Sequence, residues 1–277
     1  MELIDALIMG IIQGLTEYLP VSSSGHLEIM REILGIDLPS DKILQFDLIL
    51  HAATVCSTLV VLWHMFAKLC KSFFTFRRDA EFYSVCKLLL SAVPVGIVGV
   101  FFKDYVENFF GSGLHTVGVC LIVTALLLTF AQLTTDRMAK AASARREKGR
   151  DITWLDSFII GCAQAIAVLP GLSRSGTTIA TGILLGDKRS EMAQFSFLMV
   201  IIPILGECLL DVGGMMKESA AGVNPELGAL PLVVGFVASF AVGCAACKWM
   251  INLVKRGSLL WFALYCVLMG VICLLWQ

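Results

Sequence analysis

The chain reads Leu19-Pro20-Val21-Ser22-Ser23-Ser24-Gly25-His26 directly after an apolar segment, residues 6–16, and the acidic Glu17. Proline and small polar residues end a helix here, well before it has the roughly 20 apolar residues that cross a bilayer. Non-helical backbone at membrane depth is tolerated only inside protein or beside water. The stretch therefore predicts a re-entrant helical hairpin over residues 1–40.

A second stretch repeats this arrangement. Apolar residues 157–169 lead into Pro170-Gly171-Leu172-Ser173-Arg174-Ser175-Gly176, which predicts a second hairpin over residues 152–187. Both stretches contain Gly-x-x-Gln, Leu-Pro and Ser-x-Ser-Gly in the same order, beginning at Gly10 and at Gly161. The ordered agreement of three elements favours a true repeat over chance similarity between apolar sequences.

The composition indicates lipid as the solvent. Hydrophobic residues make up 57% of the 277 residues and charged residues 16%, against about 25% charged in soluble domains. A net charge of -1 and the lack of a long basic run give no indication of nucleic acid. The sequence predicts an all-α polytopic membrane protein with two re-entrant hairpins and six transmembrane helices, at residues 48–66, 88–102, 114–133, 192–210, 227–247 and 258–276.

The spans and hairpins divide the chain into two halves, residues 1–133 and 152–277, joined by a basic linker, 134–151. Three spans per half invert the second half relative to the first. If residue 67 is cytoplasmic, sixteen of the 21 Lys and Arg residues lie inside, and only Arg31, Lys42, Lys103 and Lys217 lie outside. The charge bias thus predicts an inverted repeat whose hairpins enter from opposite faces and meet near the midplane.

Two ionisable residues in these apolar hairpins are candidates for function. Glu17 and Arg174 are costly at membrane depth, so they indicate either a functional site or a structural ion pair between the hairpins. Hydroxyl side chains surround both at the starts of the returning helices, where free N–H groups attract anions. The candidate phosphate-binding residues are Ser22, Ser24, Ser173, Arg174, Ser175 and Thr178, with Thr177 beside them.

Two further groups complete the candidate site. Ser23 and His26 suit a nucleophile–base pair, or His26 itself attacks phosphorus. Gln13 and Glu17 lie four residues apart on one helix face, and their oxygens suit a hard cation such as Mg²⁺. His51, four residues after Asp47, is predicted to be structural, as are His64 and His115.

These residues resemble the motifs of the bacterial undecaprenyl-pyrophosphate phosphatase family, which is also known from bacitracin resistance. Its (E/Q)xxxE, Pro-Val-Ser-Ser-[Ser/Thr]-Gly-His and PGxSRSxxT motifs match residues 13–17, 20–26 and 170–178, and the resemblance runs nearly end to end. It implies hydrolysis of a C55 polyprenyl pyrophosphate to the monophosphate, which recycles the lipid carrier for cell-wall synthesis. The implied location is the bacterial inner membrane, with the site open to the outer face.

The resemblance also implies roles for single residues. Glu17 helps to place a divalent metal, Mg²⁺ or alternatively Ca²⁺, while Ser23 and His26 supply the nucleophile and proton transfer. Arg174 holds the phosphates together with Ser173 and Thr178. The first motif here begins with Gln13, the less acidic option, so that metal binding depends more on Glu17. The expected partners are the lipid substrate and membrane lipid, and the sequence leaves a homodimer open.

Two other functions fit part of the sequence. The acid-phosphatase-like lipid phosphatases also carry Ser-Gly-His and Ser-Arg elements, but their later histidine and aspartate fall on Ala180 and Leu184 here. An inverted-repeat transporter or lipid flippase for an anionic carrier shares the predicted architecture. It would not need a serine beside a base, an arginine clamp and a carboxylate together.

Overall fold

The structure, a computed structural model, describes residues 1–102, 113–141, 149–206, 228–256 and 258–276. Throughout these ranges the regular elements are α-helices, with one isolated β-bridge between Arg150 and Asp187. In chain order the helices are α1 (Leu3–Thr16), α2 (Ser23–Leu34), α3 (Ser40–Val61), α4 (Trp63–Phe74), α5 (Ala80–Phe101), α6 (Leu114–Ala141), α7 (Trp154–Ile166), α8 (Arg174–Leu185), α9 (Arg189–Met199), α10 (Ala229–Arg256) and α11 (Leu260–Leu275).

Within the described residues, four helices are long and apolar enough to cross a membrane. They contain the candidate spans Lys42–Val61, Ala80–Phe101, Leu114–Asp136 and Ala229–Val254, which overlap four of the six predicted spans. The apolar α11 has only 16 residues. The predicted span 192–210 is described to residue 206, as α9 followed by helical residues 201–206, and its last four residues lie outside the described ranges. The chain is therefore an all-helical membrane protein.

Several predicted span boundaries differ from the structure, which begins α3 at Ser40 and extends α6 to Ala141 and α10 to Arg256. Two differences have a clear local cause. The first predicted span, 48–66, crosses a break at Leu62, where α3 ends and α4 begins with φ −99° and ψ 17°. The second begins at Ala80 rather than residue 88, because Asp79 caps α5 by accepting a hydrogen bond from the Phe82 N–H at 3.0 Å. The end of α3 and the start of α5 both depend on local backbone geometry, which hydrophobicity alone does not predict. Residues 142–148 of the predicted linker lie outside the described ranges.

Both predicted hairpins form as pairs of short helices, α1 with α2 and α7 with α8. With 14 residues, α1 is about 21 Å long, which is less than the roughly 30 Å of bilayer hydrocarbon. Each returning helix ends at a left-handed glycine, Gly35 with φ 63° and Gly186 with φ 96°, a conformation that glycine adopts at little steric cost.

Glycines bring each hairpin against a long helix. A Cβ at Gly10 would lie 2.5 Å from the Gly235 carbonyl oxygen, so α1 packs backbone to backbone on α10. A Cβ at Gly161 would collide with the Ser91 carbonyl oxygen, so α7 packs in the same manner on α5. Close packing at small residues is typical of membrane helices. It fixes the position of both hairpin turns.

Candidate active site

The turns of the two hairpins contact each other directly. Ser175 Oγ donates to the Leu19 carbonyl oxygen at 3.1 Å, and the Gly171 N–H donates to Ser24 Oγ at 3.4 Å. These bonds join residues about 150 positions apart in the sequence. The structure thus brings together the two sets of candidate residues that the sequence placed on separate hairpins.

Glu17 lies at the centre of this contact. Its carboxylate accepts hydrogen bonds from Gln13 Nε2 at 2.9 Å and from Ser23 Oγ at 2.7 Å. Arg174 Nη2 reaches the other carboxylate oxygen from the second hairpin at 3.3 Å. The Glu17 side chain is 8% exposed and that of Arg174 is 25% exposed. The Glu17–Arg174 pair therefore bridges the hairpins and remains open to a ligand on the arginine side.

The Ser23 hydroxyl donates to Glu17 rather than to His26. Ser22, just before it, has φ 71° and ψ 97°, a conformation that non-glycine residues rarely adopt and that costs about 1–3 kcal/mol. The Ser22 hydroxyl offsets part of this cost by accepting the Gly25 N–H at 3.2 Å, which caps α2. Strain at this residue accompanies the orientation that sends Ser23 toward the carboxylate.

His26 is held by other partners. Its Nδ1 lies 2.7 Å from the Ser22 carbonyl oxygen, and its Nε2 lies 2.7 Å from the Tyr265 hydroxyl. Since a carbonyl oxygen only accepts, Nδ1 carries the proton, and a neutral His26 accepts the Tyr265 proton at Nε2. The Ser23–His26 pair suggested by the sequence is not formed in this arrangement.

The candidate phosphate-binding residues fall into two groups by exposure. Ser23, Ser24 and Arg174 are partly exposed. Four others are buried and have partners within the protein: Ser22, Ser173, Ser175 and Thr178. Ser173 Oγ caps α8 by accepting the Gly176 N–H at 3.1 Å, and Thr178 Oγ1 lies 2.7 Å from Ser196 Oγ. The buried hydroxyls shape the turns, and their direct contact with phosphate remains a prediction.

A small cavity opens beside the Glu17–Arg174 pair. Its lining combines polar and ionisable groups with aliphatic and aromatic side chains: Glu17, Tyr18, Thr54, Val55, Thr58, Arg174, Ser175, Ser196, Phe197 and Val200. The Tyr18 hydroxyl bonds the Thr54 carbonyl oxygen at 2.6 Å, and its ring meets Phe197 edge to face at 5.1 Å. A cavity lined by an arginine, hydroxyl groups and apolar side chains suits an amphiphile whose head group is anionic.

Gln13 provides a test of the predicted metal site. Its Nε2 donates a hydrogen bond to Glu17. Its Oε1 is buried and accepts no hydrogen bond from the residues that the structure describes. A buried amide oxygen without a donor is costly unless a cation or water satisfies it. Within the described ranges no cluster of three or more His, Cys, Asp or Glu side chains forms a metal site, so Gln13 and Glu17 would need additional ligands.

Two residues in contact with the site were not predicted from the sequence as functional. Tyr265 bonds His26 from α11, 239 positions away. His51 was interpreted as structural, but its Nε2 lies 3.7 Å from Glu17 Oε2. An imidazole within an apolar helix, four residues after an aspartate, was the only sequence signal for His51.

Comparison with known proteins identifies the family of this chain. The family described as bacitracin resistance protein BacA matches residues 6–272. The undecaprenyl-diphosphatase of Bacteroides thetaiotaomicron is 52% identical over 278 residues, covering 100% of both chains, and that of Bacteroides fragilis is 54% identical over 98% of this chain and 97% of its own. Undecaprenyl-diphosphatase 3 of Bacillus anthracis is 35% identical over 97% of this chain and 96% of its own. The chain belongs to the bacitracin resistance protein family.

Proposed function

We propose that the chain hydrolyses undecaprenyl pyrophosphate to undecaprenyl phosphate and inorganic phosphate. The observation that carries this proposal is the convergence of the Ser23 hydroxyl and the Arg174 guanidinium on Glu17. A nucleophile, a proton acceptor and a phosphate-binding cation then lie within one partly open site. Relatives at 52–54% identity bear the name of this activity.

The first step is attack by Ser23 on the terminal phosphorus. Arg174 is bound to Glu17 by one long contact of 3.3 Å. An incoming pyrophosphate can replace Glu17 as its partner, because the planar guanidinium can donate two hydrogen bonds to phosphate oxygens. The carboxylate is then free to take the Ser23 proton as the Oγ–P bond forms and the bond to the bridging oxygen breaks. Undecaprenyl phosphate leaves, and a phosphoserine remains.

The second step is hydrolysis of the phosphoserine. Water attacks phosphorus as the Oγ–P bond breaks. Glu17, now protonated, returns its proton to Ser23 Oγ, and water releases one proton to the solvent as inorganic phosphate leaves. The His26–Tyr265 hydrogen bond supports a proton-transfer role for His26 in this step. Arg174 stabilises the charge that develops on the phosphoryl oxygens in both transition states.

Gln13 and Glu17 would hold a divalent cation, Mg²⁺ or Ca²⁺, through the amide and carboxylate oxygens. When bound, such an ion neutralises pyrophosphate oxygens and polarises the phosphoryl group. The buried Gln13 Oε1 without a donor supports this part of the proposal.

The proposal includes the finer membrane layout. Six spans and two re-entrant hairpins form an inverted repeat in the bacterial inner membrane, with the site open to the outer face. Three observations support it: the short hairpin helices, the bias of positive charge, and the equivalent glycine packing of α1 on α10 and of α7 on α5. A homodimer remains a prediction.

The same equivalent packing favours a second candidate function, an inverted-repeat flippase for the carrier lipid. Phosphate release by the purified protein in detergent distinguishes the two, because hydrolysis needs no second compartment. We expect release from undecaprenyl pyrophosphate by the native chain, its loss in Glu17→Gln, and normal rates in Glu32→Gln, which changes an exposed carboxylate on α2. Flipping without phosphate release would contradict the proposal.

A further inference from the structure

His51 is oriented by its own helix. Its Nδ1 lies 2.7 Å from the carbonyl oxygen of Asp47, one turn earlier in α3. A carbonyl oxygen accepts but cannot donate, so Nδ1 carries the hydrogen. In the neutral ring, Nε2 then carries a free lone pair. A ring held in this way by its other nitrogen is typical of histidines that bind metals.

The rotation of the ring is supported from a second helix. Arg31 of α2 donates to both carboxylate oxygens of Asp47 at 2.9 Å and to Glu28 at 2.7 Å. These bonds fix the start of α3 against the first hairpin, and they also occupy the Asp47 carboxylate. His51, rather than Asp47, is therefore the ionisable α3 side chain that faces Glu17.

The Nε2 lone pair faces Glu17 Oε2 at 3.7 Å. Both side chains are shielded, at 16% and 8% exposure, and neither atom has a hydrogen to share when His51 is neutral. Gln13 and Ser23 donate to Oε2 and Arg174 donates to Oε1, so the one lone-pair position left open of about four on the carboxylate is on Oε1. The buried Gln13 Oε1 is a further acceptor without a donor among the described residues. An imidazole lone pair facing a carboxylate whose neighbour is a buried amide oxygen without a donor indicates a cation.

We propose that His51 Nε2 is a nitrogen ligand of the divalent cation, together with Glu17 and Gln13. This inference rests on the proposed function, which places a cation at Gln13 and Glu17. It changes the expected selectivity, because imidazole favours transition metals over the alkaline-earth ions that oxygen-only sites prefer. A site of one carboxylate, one amide oxygen and one imidazole binds Mn²⁺ more tightly than Mg²⁺ or Ca²⁺.

Pulsed electron paramagnetic resonance of Mn²⁺ bound to the purified, substrate-free protein tests this. We expect a ¹⁴N hyperfine coupling from a bound imidazole, replaced by a ¹⁵N coupling when the protein is made with ¹⁵N-histidine. This measurement needs no variant, so it does not depend on the folding of one. His51→Gln should abolish the coupling and weaken Mn²⁺ binding at least about ten- to a hundredfold, the loss that even outer-shell partners of a metal can cause.

His64→Gln makes the same chemical change at an exposed histidine of α4, and it should leave both the coupling and the affinity unchanged. Bound Mn²⁺ without nitrogen coupling, or a coupling that persists in His51→Gln, overturns the His51 ligand and leaves the Gln13–Glu17 metal role intact. Failure of the native chain to bind Mn²⁺, Mg²⁺ or Ca²⁺ overturns both.

Discussion

In both hairpins a serine caps the returning helix: Ser22 Oγ accepts the Gly25 N–H at 3.2 Å, and Ser173 Oγ accepts the Gly176 N–H at 3.1 Å. Around these caps the side chains differ. Where the first hairpin has Ser23, the second has Arg174 in the equivalent position. The comparison teaches that the same serine cap precedes two opposite chemical groups, a hydroxyl beside a carboxylate and a guanidinium, so that the proposed site requires both hairpins.

The two hairpins also differ in the acidic residue, which only the first one places after its glutamine. Gln13 is followed four residues later by Glu17, whereas the equivalent Gln164 is followed by Val168. Both amide atoms of Gln164 are buried without a hydrogen-bond partner among the described residues. At the site, the first hairpin contributes the Glu17 carboxylate and the proposed nucleophile Ser23, and the second contributes the Arg174 guanidinium. The charge of each is neutralised by the other.

The backbone at the two caps differs as well. Ser22 has φ 71°, while Ser173 has an ordinary φ of −68°. Of the two caps, only the one beside the proposed nucleophile has a strained backbone. Such strain is common where a backbone orients a reacting group.

The largest expected effect separates two neighbouring serines of the first hairpin. Ser23→Ala removes the nucleophile and should lower the rate of phosphate release by about 10²–10⁴-fold. Ser24→Ala removes a hydroxyl that contacts Gly171, and it should cost far less. Steady-state hydrolysis in detergent measures both. Equal losses would show that Ser23 has no special role.

Arg174 tests the contribution of the second hairpin. Arg174→Ala should slow hydrolysis about 10²–10³-fold because it removes charge stabilisation from a shielded site. Arg174→Lys keeps the charge but loses the planar fork of the guanidinium. Its rate of hydrolysis should therefore lie between the rates of the native chain and of Arg174→Ala. Arg77→Ala, at an arginine that is 66% exposed, is the control. Near-normal turnover by Arg174→Ala would contradict the clamp.

The shared scaffold can be disturbed at Gly161. Gly161→Ala forces a methyl group against the backbone of α5, and such overpacking costs about 1–3 kcal/mol. The melting temperature in detergent should fall. Gly96→Ala, on α5 itself, has open space around its new methyl group and should not lower it. If both variants melt like the native chain, the close contact of α7 with α5 is wrong.

The exit of the second hairpin predicts a pH effect. Burial, together with the nearby Asp156 carboxylate, raises the pKa of Asp187 to about 7, and Arg150 reaches Asp187 only at 4.0 Å. The folded protein thus binds a proton that the unfolded chain releases near pH 4, so stability falls as the pH rises from about 4 to about 7.

Asp187→Asn removes this dependence. We expect it to melt above the native chain at pH 8, with a difference that shrinks as the pH falls and disappears below about pH 4. Melting curves across this range measure the difference. A difference that is constant with pH would show that Asp187 does not titrate there.

The smallest effect concerns the strained cap. Ser22→Gly relieves the positive φ, and glycine at an N-cap costs only a few tenths of a kcal/mol, so the melting temperature should stay constant or rise. Ser173→Gly has no strain to relieve and should melt earlier. Phosphate release should nevertheless fall in Ser22→Gly, because Ser23 is held less firmly. Equal destabilisation by both substitutions would show that the strain is not significant.

The meeting of Glu17 with Arg174 could be predicted from the sequence, because prolines broke both helices and isolated charges stood at the breaks. Other features depended on tertiary geometry. The Ser23–Glu17 bond follows from the unusual backbone of Ser22, for which serine gives no signal. Tyr265 reaches His26 from the last helix, and no local pattern links such distant positions.

The most direct test of the composite site is rapid acid quenching of the enzyme with undecaprenyl pyrophosphate labelled in its terminal phosphate, followed by peptide mapping. The account predicts acid-stable label on Ser23, formed in the native chain and absent from Ser23→Ala. Label on His26, or single turnovers that leave the protein unlabelled at every quench time, would contradict it.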